Sequence, residues 1–441
     1  MNALDDVLQG AQRARLIPFG ADSRKEERIV SILLATLSVV RPFAKQLLRQ
    51  FNVTMTKTAR LECFTEVEFP NASGNGKDRP DGILRLVTRK PQWTAIVEAK
   101  ISRSDISEEQ VHRYGDLARR YGIDAVITLS NQLVSLPTHL PYAVPKRLGR
   151  NVQFFHVSWM SLLTYAALIL RDKEGVKPDV EQAYILEEMV SYCEHPSSGV
   201  KRFESMNPEW RSLVLGIRNQ LPFTKTSAEI TKTIASWYQE ERDICLILSR
   251  AIGDRVDLRL SRKHRADPVL RFRDDCNVLA ESQEMRSIFD IPDAADDLAV
   301  TVSLERRTIS CSMRLNAPLN KKRASARINW LVRQLRRIEG ADVFARAYWP
   351  GRVLPTHHAL EDVKNDPTCL DYGKSGFSPT GFEVLLIKDC AGRFSGTRTF
   401  VQDLEAVVPD YYKRIGRQLR RWVPPAPTKK ERQASLSESA N

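Results

Sequence analysis

"RPDGILRLVTRKPQWTAIVEAKI", residues 79–101, holds two short apolar runs on either side of a "KPQ" turn. "DGILRLVT" and "WTAIVEAKI" have the length and β-branched content of strands, so the segment reads as a hairpin. Side chains two apart on a strand share a face. Glu98 and Lys100 therefore point with Thr94 and Ile96, whereas Ala95, Val97, Ala99 and Ile101 point the other way and are expected to form core.

Outward from the hairpin the pattern alternates between helix and strand. "SRKEERIVSILLATLSVVRPFAKQLLRQF" reads as a long buried helix, with Ser23 as its N-cap and Pro42 as a break or kink. "LECFTEVEF" alternates like a strand, and "PNASGNGKDRP" is a turn-rich loop leading into the hairpin. "SDISEEQVHRYGDLARRYG" is a second helix, in which Ser107 and Gln110 have capping-box spacing. "IDAVITLSN" and "NVQFFHVSW" are further strands, and "MSLLTYAALIL" is a covering helix. The sum is an α/β, three-layer αβββαβ domain over residues 23–172.

A helical connecting region follows at 173–253, with the loop "HPSSG" as the expected seam. Residues 254–423 read as a basic α+β domain: "RVDLRL" is strand-like, "DLAVTVSLERRTISCSMRL" a β-hairpin, "KKRASARINWLVRQLRRI" an amphipathic helix and "FEVLLIKD" a strand. The last stretch, 424–441, is rich in Pro, Ser and charge without an apolar period and is expected to be disordered.

If the strand starting at Asp81 lies beside the one carrying Glu98, the two carboxylates converge on one divalent cation. Two carboxylates, a backbone carbonyl and waters form a hard oxygen site suited to Mg²⁺ or Mn²⁺. Lys100 would then stand where it can hold or activate a water and stabilise charge on a phosphate. Pro80-Asp81 and Glu98-Ala99-Lys100, separated by strand, turn and strand within an αβββαβ order, resemble the PD-(D/E)xK motif of restriction-endonuclease-like nucleases. The resemblance covers roughly residues 23–170 and implies that Asp81 and Glu98 hold the metal while Lys100 serves the attacking water.

The same resemblance suggests supporting positions. A glutamate from the first helix is expected at Glu26, which lies on the buried stripe with Ile29 and Leu33, in preference to Glu27. Gln110 and Tyr114, four apart in the second helix, would face the scissile phosphate. Glu66 is a further candidate metal ligand, although it shares a face with Glu62 and Glu68, a pattern usual for solvated strands. Other motifs fail on spacing. "YGKS" lacks the first glycine of a P-loop, where Thr368 stands; His357 and His358 are adjacent rather than on one helical face, and Cys193 with His195 has no second pair of metal ligands.

Composition bounds the function class. The 441 residues include seven scattered cysteines without a CxxC pair, which argues against a disulfide framework or zinc ribbon and fits a reducing cytoplasm. "IVSILLATLSVV" is too short to span a bilayer, so no membrane partner is expected. The net charge of +13 is uneven, with residues 301–441 holding 25 Lys+Arg against 14 Asp+Glu, a balance of +11. A basic excess of this kind suggests a polyanionic partner, most simply nucleic acid, although solubility alone also accounts for it. DNA is the expected form, and a homodimer is left open. Arg323, Arg327, Arg333 and Arg337 lie opposite the apolar stripe of their helix with no acid among them. "YYKRIGRQLRRW" adds Lys413, Arg417 and Arg421 with interleaved aromatics suited to backbone contact and stacking. The expectation is a metal-dependent nuclease domain joined to a basic nucleic-acid-gripping domain; the competing class is a non-catalytic binding or interaction module on the same fold.

Overall fold

The computed structural model describes residues 3–9, 11–17, 24–70, 77–89, 91–102, 106–145, 147–171 and 178–424. Ser23 and residues 425–441 of the C-terminal stretch lie outside them. The chain forms two compact units, residues 1–213 with 222–280 and residues 214–221 with 281–441. The helical stretch at 228–252 thus belongs to the first unit.

The first unit begins with α1 (Ala3–Gln9) and β1 (Gln12–Arg13). The apolar run after Glu26 then folds as two helices, α2 (Lys25–Val39) and α3 (Arg41–Gln50), bent 105° from each other. Pro42 lies in the first turn of α3, where a missing N–H costs nothing, and its ring forbids a continuous helix through residue 40. β2 (Arg60–Thr65), β3 (Phe69–Pro70) and β4 (Lys77–Asp78) follow, then the hairpin β5 (Gly82–Val87) and β6 (Pro91–Ala99). The expected single strand over 61–69 is broken because Glu66 adopts a left-handed backbone, φ +57°, and ends the ladder. The remaining elements are α4 (Glu108–Tyr121), β7 (Ala125–Ser130), β8 (Gln153–Ser158), α5 (Trp159–Arg171), α6 (Val180–Glu194), α7 (Glu209–Arg218), whose residues from 214 on belong to the second unit, α8 (Ala228–Ile252), β9 (Asp257–Leu258), α9 (Arg262–Ala266) and α10 (Pro268–Ser282), whose last two residues also belong to the second unit.

The main sheet runs β1-β2-β5-β6-β7-β8. It is antiparallel from β1 to β6 and parallel from β6 to β8, with α4 providing the crossover from β6 to β7. Leu84, Leu86, Ala95, Val97 and Ala99 pack on one face against α2, α3, α5 and α6. Ile83 and Ile96 pack on the other with Val111, Tyr114 and Leu117 of α4. Both faces are therefore core, and the face carrying Glu98 is covered where the alternation alone left it open. Each fully buried Ile or Leu contributes about 2 kcal/mol. The loop 195–199 packs at the end of β6, where Ser102 N–H donates to Gly199 O at 2.8 Å. All seven cysteines are free. Among the described residues no single helix is long and apolar enough to cross a membrane.

The second unit is α+β. Its strands are β10 (Glu284–Asp290), β11 (Leu298–Ser303), β12 (Thr308–Asn316), β13 (Val343–Tyr348), β14 (Thr356–Ala359) and β15 (Gly381–Asp389), in the order β14-β13-β15-β12-β11-β10 and antiparallel throughout. The expected hairpin is β11–β12, turned at Arg307 with φ +57°. Three helices accompany the sheet: α11 (Ala324–Leu335), α12 (Leu360–Asn365) and α13 (Thr397–Arg414). α13 stops at Arg414, so "YYKRIGRQLRRW" is a helix end followed by a 3-10 turn at Gly416–Gln418. Tyr411 and Tyr412 are buried, and the Tyr411 hydroxyl donates to Val384 O at 2.8 Å. These rings are core and offer no stacking surface, a correction to the sequence expectation; two apolar rings beside a sheet gain more from burial than from display.

Candidate functional site

The register of the hairpin sets the site. Gly82 pairs with Val97, so Asp81 stands beside Glu98 at the end of the β5–β6 ladder. The Ala99 N–H donates to Asp81 Oδ2 at 2.7 Å, fixing the first carboxylate against the second strand. Lys100, just past β6, is anchored at both ends of its peptide: its N–H donates to Leu129 O at 2.7 Å, and its carbonyl accepts from Trp159 Nε1 at 2.9 Å.

Two helices complete the cluster. Lys100 Nζ donates to Glu98 Oε1 at 2.6 Å and to Glu26 Oε1 at 2.9 Å. The other oxygen of Glu26 accepts from the Ile101 N–H at 3.2 Å, so the first turn of α2 is tied to the end of β6 twice. Glu27 faces away and pairs with Arg24 at 3.3 Å. From α4, Gln110 Nε2 donates to Glu98 Oε1 at 2.6 Å and to the Tyr114 hydroxyl at 3.2 Å, and that hydroxyl donates to Arg79 O at 3.3 Å. Gln110 also takes part in the N-cap, where its backbone N–H donates to the Ser107 hydroxyl in a long bond of 3.5 Å, while its side chain is used by Glu98 and Tyr114.

Burial makes these charges interact strongly. The Glu98 side chain is 2% exposed and that of Lys100 is 18% exposed. Loss of water, followed by the Glu98 charge, raises Asp81 to about 7. Burial also raises Glu98 above the usual carboxylate range, against the opposing pull of Lys100. For Lys100 burial acts downward, but Glu98 and Glu26 outweigh it and hold the ammonium well above its ordinary value. Burial raises the Tyr114 hydroxyl as well, so it stays a neutral donor.

The donor set fits a hard divalent cation. Asp81 and Glu98 are two desolvated carboxylates whose mutual repulsion an added positive charge would relieve. Among the described residues no three His, Cys, Asp or Glu side chains are gathered so as to hold an ion by themselves, so main-chain oxygen and water would complete its shell. Glu66 stands apart: it pairs with Arg79 at 3.3 Å and accepts from Gln12 Nε2 at 3.2 Å, and neither Asp81 nor Glu98 is its partner.

The basic candidates separate in the same way. Arg327 is structural, with Nε and Nη1 donating to Lys321 O at 2.7 Å and Pro379 O at 2.8 Å. Arg323 is the exposed N-cap residue of α11 and Lys413 is exposed near the end of α13. Arg421 lies 4.0 Å from Asp296. Arg333, Arg337 and Arg417 share one groove of about 660 Å³ with Gln334, Arg336, Gln418 and Arg420. The sequence reading missed Arg336 and Arg420; Arg336 was accessible to it, being three residues beyond Arg333 on the same helical side, whereas Arg420 follows a break in helix that no period predicts.

Comparison of the chain with protein-family models, with curated proteins and with solved structures finds no match.

Proposed function

We propose that the first unit is a nuclease of the PD-(D/E)xK, restriction-endonuclease-like class, a Mg²⁺- or Mn²⁺-dependent hydrolase of nucleic-acid phosphodiesters, DNA in the first instance. The observation that carries this is the convergence of Asp81, Glu98 and Lys100 at one strand end with Glu26 and Gln110 brought in from two separate helices. A stability argument alone would not gather three acids around a buried strand end, because desolvating like charges is costly. The order α2, β2, β5, β6, α4, β7 around these residues supports the same class.

Hydrolysis forms a bond from a water oxygen to phosphorus, breaks the phosphorus–oxygen bond to one sugar and delivers a proton to the departing oxygen. A divalent cation held by Asp81 and Glu98 would supply positive charge to acidify water and to offset charge gathering on the phosphate. The chain's own groups do the rest. Glu26 and Glu98 hold Lys100 protonated and fixed, so its role is to donate hydrogen bonds and stabilise charge. Gln110 orients the Glu98 carboxylate, and the Ala99 N–H orients that of Asp81.

A second reading has an observation of its own: the Lys100 ammonium sits between Glu26 and Glu98 and neutralises them, as it would in a non-catalytic binding or interaction module. Purified protein incubated with DNA and RNA panels under Mg²⁺, Mn²⁺ or chelator separates the two. The nuclease reading expects metal-dependent cleavage, its loss in Glu98→Gln together with loss of Mn²⁺-induced thermal stabilisation, and a fall of roughly 10² in rate with Mn²⁺ binding retained in Lys100→Met. Parent-rate cleavage by Lys100→Met would make Glu98 and Lys100 a structural pair.

A further inference from the structure

The groove in the second unit differs from an ordinary basic surface in three respects. Arg333, Arg336, Arg337, Arg417 and Arg420 line it and no acidic side chain does. Among the described residues none of these five pairs with a carboxylate, although nearby arginines do: Arg414 bonds Asp342 and Asp410, and Arg421 approaches Asp296. The remaining lining residues are Gln334 and Gln418. Gln334 accepts from the Arg420 N–H at 2.6 Å, yet its buried Nε2 has no acceptor. A buried donor without an acceptor costs about 1–3 kcal/mol, which a ligand oxygen would recover.

The charges are gathered at one place. Arg327 has Nε and Nη1 both used by backbone carbonyls and Arg323 lies at the far end of α11, so the cationic surface is a short groove and not a track along the helix. Arg420 spends Nη1 on Arg417 O and Leu419 O and keeps its other N–H groups for the groove. Arginine at the last turn of a helix is favourable in any case, but one or two suffice for that, and mutual repulsion opposes five. Nothing lining the groove is aromatic or aliphatic, so an acyl chain has no surface to rest on and a nucleobase has no ring to stack on. Guanidinium forks suit phosphate oxygens taken two at a time.

We propose that this groove grips consecutive backbone phosphates of a nucleic-acid strand, with the Gln334 amide donating to one of their oxygens and without reading sequence. The proposal deepens the nuclease reading by assigning where its polyanionic substrate is held, and it rests on that reading only for the identity of the polyanion. It is tested by binding in the presence of chelator, so that cleavage plays no part.

The probe is the full chain titrated onto fluorescent oligonucleotides of several sequences, single-stranded and duplex, across a salt series. Replacing Arg333, Arg337 and Arg417 together by Gln should weaken binding roughly tenfold or more and reduce the single-strand salt slope by about 2, equally for every sequence. A control replaces the exposed Arg286, Arg306 and Lys388 by Gln, the same change in charge away from the lining residues, and should alter affinity less than about twofold. Gln334→Glu keeps the acceptor for Arg420, removes the unpaired donor and adds one negative charge, so it should weaken binding without lowering the melting temperature. Equal losses in the groove variant and the control, or unchanged affinity in Gln334→Glu, would overturn the proposal. Tripolyphosphate should compete only weakly; if it binds stoichiometrically at the groove while oligonucleotides do not, the ligand is a small polyphosphate and the strand assignment falls. Groove-dependent binding without metal-dependent cleavage would leave the groove standing and remove the nuclease reading.

Discussion

His156 shows what a single buried residue imposes on this fold. It is fully enclosed; Nε2 faces Gln132 O at 3.0 Å, and Nδ1 lies 2.8 Å from the Thr128 hydroxyl. A carbonyl can only accept, so Nε2 carries the proton and the Thr128 hydroxyl donates to Nδ1. Its other polar neighbours are the hydroxyls of Ser130, 3.3 Å from Nε2, and of Tyr142, which bonds Thr128 at 2.8 Å. No charged partner stands among them. Burial lowers the imidazole to about 4, so folding favours the neutral ring. A depressed folded value gives stability that is fully present above the unfolded value near 6.5 and is lost as pH falls from there through 4. The parent should therefore lose about 3 kcal/mol through this residue between pH 6.5 and 4. His156→Gln should start less stable but decline less steeply over that window, since the remaining carboxylates titrate in both proteins. Urea unfolding at half-unit pH steps gives both slopes, and parallel curves would mean that His156 does not govern this range.

At the level of elements, the approach of α2 to the hairpin is what places Glu26 against Lys100, and it depends on Gly82. A Cβ at that position would lie 2.3 Å from Leu34 Cδ1 of α2 and 3.1 Å from Phe64 O of β2. The leucine sits in a packed core and the carbonyl belongs to the sheet, so neither can give way cheaply. Gly82→Ala should cost about 1–3 kcal/mol and, by shifting the residue next to Asp81, reduce the thermal stabilisation given by Mn²⁺. Melting curves with and without Mn²⁺ measure both; a parent-like pair of curves would show that α2 does not need this close approach. Much of this architecture was legible beforehand because it is local. Short apolar runs at period two gave β5 and β6, and a capping Ser107 with buried Val111, Tyr114 and Leu117 gave α4. Glu26 was legible from the helical stripe it shares with Ile29 and Leu33. What was not legible depends on tertiary partners or on a single dihedral. The left-handed turn at Glu66 took it out of the strand altogether, so neither the solvated face its period indicated nor a place at the metal describes it. The burial of Tyr411 is tied to β15, which lies more than twenty residues away in sequence.

At the scale of the whole molecule, chemistry and grip are assigned to different units, and charge follows that division. Residues 301–441 hold 25 Lys+Arg against 14 Asp+Glu, whereas every residue of the acidic cluster lies before residue 111. The first unit takes its core from its own helices and sheet, so a chain ending at Ala280 should keep that core. Such a chain should retain far-ultraviolet ellipticity and the Mn²⁺-induced rise in melting temperature. Its kcat on a short oligonucleotide should stay within about twofold of the parent, because the groups assigned to transition-state stabilisation remain. Its KM should rise roughly tenfold or more at moderate salt, and the dependence of binding on salt should flatten, because the arginine groove is gone and fewer counterions are released. The two parameters decide the matter separately. A collapse in kcat with unchanged KM would put a residue of the second unit in the chemistry, and an unchanged KM with the parent's salt slope would mean that the basic third of the chain does not hold the substrate.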